Sequence, residues 1–209
     1  MLDHEKRWNV LTRRTGRIAR GFSVLELMIT VAVIAILAVL GMPTMAGAIS
    51  NAKVRSATEA LQNGLRNAQA EAIRRSHQTA FVLTNAAPAL SAAAIDNGKN
   101  WYIQVLPVVA SETVDNTFYV QGGSFGSETS GVTIRGPAAI CFNSMGRVVA
   151  NASPGLGAGV TCSAPAPMIT YDVTKISGAD RTLELQLGAN GKIRMCDKSR
   201  SITTQPDGC

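Results

Sequence analysis

Histidine is nearly missing from this chain, with two among 209 residues, His4 and His77. Neither lies near a cysteine, and no C-x-x-C pair occurs, which removes the usual metal-ligand spacings. No serine, cysteine or acid stands with them as a nucleophile–base set, and no phosphate-cradling loop is present. Gly122-Gly123 and the Gly155–Gly159 stretch lack the strand–helix setting of a nucleotide site. The sequence therefore reads as no enzyme, with no catalytic residues, no metal and no cofactor. Aromatic residues are 5% of the chain and none lies beyond Cys196, so the C-terminal tail offers no base-stacking platform.

Against these absences stands one long apolar run, G-F-S-V-L-E-L-M-I-T-V-A-V-I-A-I-L-A-V-L-G-M-P, Gly21 to Pro43. About 20 apolar residues suffice for a helix to cross a bilayer, so the run reads as a span over 22–43. It carries a single carboxylate, Glu26, which is costly in hydrocarbon and points to a function. Before it lie Lys6, Arg7, Arg13, Arg14, Arg17 and Arg20 against Asp3 and Glu5, a net charge of +4. Such a basic flank would stay in the cytoplasm and send the bulk of the chain across. No small-residue cleavage site follows the run. Of the overall +6, the residues after Gly21 retain only +2, so a global charge argument for nucleic acid is weak.

This order of features resembles the class III signal of type IV prepilins and type II secretion pseudopilins. The resemblance makes residues 1–21 a leader removed by a prepilin peptidase between Gly21 and Phe22, with Phe22 then methylated. It makes Glu26 the fifth mature residue, neutralised by the amino group of Phe22 on a neighbouring subunit. Pro43 falls at the helix-bending position.

Beyond Pro43, Val54, Ala57, Leu61, Leu65, Ala68 and Ala72 recur at spacings of three and four, one face of an amphipathic helix continuing over 44–77. Arg74 and Arg75 complement the helix dipole at its end. After His77 the chain turns to short runs rich in β-branched and aromatic residues. They lie at Thr79–Thr84, Trp101–Leu106, Thr117–Gln121, Val132–Arg135, Ala139–Phe142, Arg147–Val149, Met168–Val173, Arg181–Leu187 and Ile193–Cys196. Gly188 to Gly191 reads as a hairpin turn. In Arg181–Leu187 the leucines should face one way and Thr182, Glu184 and Gln186 the other. The expected class is α+β: a long N-terminal helix, its first half in a membrane, packed on an antiparallel β-sheet or β-sandwich domain over 78–209.

The layout is similar to the GspH/FimT family of minor pseudopilins and minor pilins. Its marks are the long helix, the β-rich body, I-C-F-N-S-M-G-R at Ile140–Arg147 and G-K-I-R-M-C at Gly191–Cys196. Some FimT-like minor pilins carry a C-terminal G-R-x-R motif that contacts DNA. Gly191-Lys192-Ile193-Arg194 stands at the matching place, and Lys198 and Arg200 follow. Lys at the first basic position keeps charge but loses the bidentate fork, and Asp197 and Asp207 halve the local charge.

All four cysteines, Cys141, Cys162, Cys196 and Cys209, lie beyond the apolar run, and an even count suggests disulfides. Three pairings are open; the sequential one is favoured because Cys196–Cys209 would tie the tail to the body. The expected role is a minor pilin that helps initiate or cap a type IV pilus. A type II secretion pseudopilin is the alternative, and a pilus-borne DNA-uptake subunit the third. The expected location is the inner membrane, single-pass, with the C-terminal domain in the periplasm. The implied partners are the prepilin peptidase, other major and minor pilins or pseudopilins, the inner membrane and double-stranded DNA.

Overall fold

The computed structural model describes residues 21–109, 111–125, 131–163, 167–175 and 178–209, with backbone alone at 40–44 and 158. The leader residues 1–20 lie outside the described residues, as does the side chain of Pro43. The chain divides into two units, Met1–Met42 and Pro43–Cys209. Helix α1, Val24–Arg75, contributes to both.

In the first unit, the described helical side chains up to Val39 are all exposed. Among the described residues no helix is long and apolar enough to cross a membrane. This corrects the expected membrane-spanning first half of the helix, and with it the single-pass inner-membrane location and the inner membrane as a partner.

In the second unit, α1 buries one stripe completely: Val54, Ala57, Leu61, Leu65, Ala68 and Ala72. Nine strands are described. β1 (Thr79–Thr84), β2 (Asn100–Val105), β3 (Tyr119–Ser124), β5 (Ala139–Phe142) and β6 (Val148–Val149) form one sheet in the order β3-β2-β1-β5-β6. β4 (Val132–Arg135), β7 (Met168–Lys175), β8 (Leu183–Gly188) and β9 (Ile193–Asp197) form a second, in the order β4-β7-β8-β9. Every ladder is antiparallel.

Alternation assigns the faces. Phe81, Leu83, Ile103, Ile140 and Phe142 of the first sheet join the helix stripe in one core with Tyr171, Val173, Leu185 and Leu187 of the second. The opposite face of the first sheet is buried too. Ala80, Val82, Tyr102, Ala139 and Cys141 pack under Ala94, Leu106, Leu156 and Cys162 from the connecting segments. β1 is thus buried at every position. Burial pushes the Tyr102 phenol up to about 12, and its hydroxyl donates to Ala92 O at 2.8 Å.

Gly64 interrupts the helix stripe for a packing reason. A Cβ there would sit 2.7 Å from Cε2 of Phe81. Gly64→Val is expected to destabilise the domain by roughly 1–3 kcal/mol, because overpacking at the ring outweighs the better helix propensity. A urea midpoint at or above wild type would show that Phe81 can move aside.

Candidate assembly site

The first unit offers apolar surface and a single acid. Twelve large apolar side chains from Phe22 to Val39 are between 49% and 80% exposed, with Val33 and Phe22 at the limits. The helix begins at Val24, and its first turn is closed by Leu27 N donating to Ser23 O at 3.1 Å. Glu26 stands in the first turn, where the unpaired amides and the macrodipole favour an anion. Gly21 and Phe22 precede the helix and are exposed, so the bond between them is open to solvent.

The second unit places the candidate DNA-contacting cations at the end of the second sheet, most of them already engaged. Lys192 is exposed and makes no ion pair among the described residues. Arg194, on β9, donates through Nη2 to Gly208 O at 2.7 Å and lies near Pro206 O at 3.4 Å. Lys198 donates to both carboxylate oxygens of Asp172 at 2.8 Å and lies 3.5 Å from Glu184. The Asp172 carboxylate holds the Lys198 ammonium above its ordinary value. Arg200 pairs with Asp207 at 2.6 Å and Asp197 at 3.6 Å. The ion pairs of Lys198 and Arg200 offset two of the four charges that a phosphate backbone would meet, and Arg194 is tied to the tail's own carbonyls. The expected DNA-uptake role is therefore unsupported, and methylation of Phe22 gains no support either.

The tail these cations hold is a compact lobe. Cys196 is bonded to Cys209, and Cys141 to Cys162. Asp197 N donates to Asp207 O at 2.7 Å, and Cys209 N to Asp197 O at 3.2 Å and Arg200 O at 3.1 Å. The Asp197 carboxyl is buried beneath it. Burial works to raise its pKa, but two hydrogen bonds from Ser199 and the charges of Arg181 and Arg200 reverse this and leave it below the ordinary range.

A further cluster joins the two sheets to the helix. Gln69 Nε2 donates to Gly146 O at 2.7 Å and to Gly191 O at 3.0 Å. Gly146 and Gly191 have φ of 73° and 82°, so each turn needs glycine. The segments Ile140–Arg147 and Gly191–Cys196 thus meet on one amide. Sequence reading missed Gln69, because nothing along the helix marks it as the residue that reaches both turns.

No arrangement of catalytic type emerges among the described residues. His77 Nδ1 lies 3.0 Å from Arg75 O at the helix end. Residues 57–208 match the family model described as Type II transport protein GspH. The chain belongs to the GspH family. It is accordingly a non-enzymatic assembly subunit of the minor pilin and pseudopilin type. Association with other pilins or pseudopilins follows from that membership. Two crystal structures of the Pseudomonas aeruginosa type IV minor pilin FimU are similar at 17% identity. They give TM-scores of 0.47 and 0.45, with 70% of this chain and 90% and 94% of theirs covered. The minor pseudopilin EpsH of the Vibrio cholerae Type 2 Secretion System is similar at 11% identity and a TM-score of 0.42, with 70% and 97% covered. No curated protein matches the sequence.

Proposed function

We propose that this GspH-family chain enters a pilin-type filament by its N-terminal helix, after cleavage between Gly21 and Phe22. The observation that carries this reading is the sleeve of exposed apolar side chains from Phe22 to Val39. Apolar surface of that extent marks an interaction site. Equivalent helices of sibling subunits would cover it. Glu26 is the single charge within the sleeve. Once the sleeve is covered, its carboxylate needs a cation, and the amine freed at Phe22 of a neighbour supplies one.

The test is incorporation. Glu26→Gln removes the charge and keeps the shape. Its share in sheared filaments, relative to total cellular protein, should fall about tenfold or more, since breaking one partner of a buried pair costs roughly 3–5 kcal/mol. Glu26→Asp should retain part of it. Unchanged incorporation of Glu26→Gln would refute the proposal. N-terminal sequencing of the incorporated protein should begin at Phe22.

The family description, a type II transport protein, favours a secretion pseudopilus over a pilus. A deletion strain that retains exoproteins while keeping surface pili would support the secretion assignment, and the converse would support the pilus.

A further inference from the structure

Glu184 occupies an outward position on β8 and yet is only 8% exposed. Its cross-strand neighbours are Asp172 on β7 and Cys196 on β9. The C-terminal lobe lies over this row and brings the sulfurs of Cys196 and Cys209 to a carboxylate oxygen of Glu184, all within 4.8 Å of one another. A buried carboxylate beside two sulfurs is a donor set that thiophilic divalent cations take.

We propose that reduction of the Cys196–Cys209 disulfide opens a site for one zinc ion, held by both thiolates and Glu184, with water as fourth ligand. Reduction is by a dithiol, which supplies two electrons and two protons and leaves as its own cyclic disulfide. The ion then displaces the two thiol protons as it forms two metal–sulfur bonds. Three features support the geometry. The lobe does not depend on the disulfide alone, because Cys209 N bonds to Asp197 O and Arg200 O and Arg194 to Gly208 O, so the thiols remain neighbours after reduction. Tetrahedral zinc with bonds of about 2.3 Å needs sulfurs about 3.8 Å apart, a small opening from a disulfide whose Cα atoms are 5.2 Å apart. Gln186 Nε2 donates to Oε1 of Glu184 at 2.8 Å, orienting the carboxylate as an outer partner does in zinc sites. That leaves Oε2, which among the described residues pairs with Lys198 at 3.5 Å, and Lys198 keeps its two shorter bonds to Asp172.

The inference is independent of filament entry. It is tested on the full chain carrying Cys141→Ala and Cys162→Ala, so that only one cysteine pair remains. After reduction and removal of the reductant, Co²⁺ is titrated anaerobically as the zinc surrogate. One equivalent should bind with sulfur-to-cobalt charge-transfer absorption and the visible bands of a tetrahedral ion. Zn²⁺ should displace it. Glu184→Gln should weaken binding about tenfold or more, and the oxidised chain should show no such bands. Should reduction cost the fold, recovery of the circular dichroism spectrum on adding Zn²⁺ supports the site, and failure to recover overturns it. Absence of the charge-transfer absorption in the reduced, folded chain overturns it, and so does full binding by Glu184→Gln.

Discussion

Gly191→Ala should cost the domain about 3–5 kcal/mol, enough to leave much of it unfolded under mild conditions. Three effects combine. Alanine is strained at a φ of 82°. Its Cβ would overlap the carbonyl oxygen of Gly146 and the amide nitrogen of Gln69, and one of these is backbone that cannot swing away. Moving the turns apart also breaks the two hydrogen bonds that Gln69 donates to them. Urea denaturation measures the loss. Gln69→Ala should cost less, about 1–3 kcal/mol, because it leaves two carbonyls without their donor but adds neither a clash nor backbone strain. In the double variant the penalties should not add, since removing Gln69 also removes part of the clash. A Gly191→Ala shift below about 1 kcal/mol would mean that the turns adapt without the tie.

That cluster marks where the sequence stops being readable. The segments Ile140–Arg147 and Gly191–Cys196 stand out along the chain, but what joins them lies 77 and 122 residues away in sequence. Local pattern carries no such information. The helix stripe is legible because a core-facing helix must repeat its apolar residues every 3.6 positions. The strands are legible for the matching reason, though β3 runs Tyr119–Ser124 rather than Thr117–Gln121. Thr117 instead lies in a 3-10 turn whose start is capped by Asp115, which accepts from Thr117 N at 2.8 Å.

The candidate sites divide along the same line. Lys198 and Arg200 are visible in sequence as charges, but their partners depend on how the tail folds back over β8 and β9. Alternation assigns Glu184 to the outer face, and it is on that face; the lobe is what buries it. The apolar run was legible as apolar but overread as a membrane span: among the described residues no helix is long and apolar enough to cross a membrane. Glu26 is visible in sequence as the one acid in an apolar run, and it stands exposed in the first turn of the helix; its pairing with a sibling's amine is what the incorporation test decides.

The outer face of the first sheet is the part of the core least evident in the sequence. A-F-V-L at Ala80–Leu83 is a continuous apolar run, the pattern of a strand covered on both sides. The helix covers one side. The other is covered by irregular segments, including the Leu156–Cys162 stretch, held by Cys162 bonded to Cys141 on β5. Irregular cover has few ladder bonds: Asn151 and Cys162 exchange one pair, at 2.9 and 3.5 Å. Replacing both cysteines with alanine should therefore destabilise by about 3–4 kcal/mol in the chain-entropy account of a loop this long. The loss should be unevenly distributed. Amides of residues 150–163 should lose exchange protection first, followed by those of β5, while Gln69 keeps the Gly146 and Gly191 turns closed at the helix. Uniform loss of protection across both sheets would instead mean that the covering segments and the central core unfold as one cooperative unit.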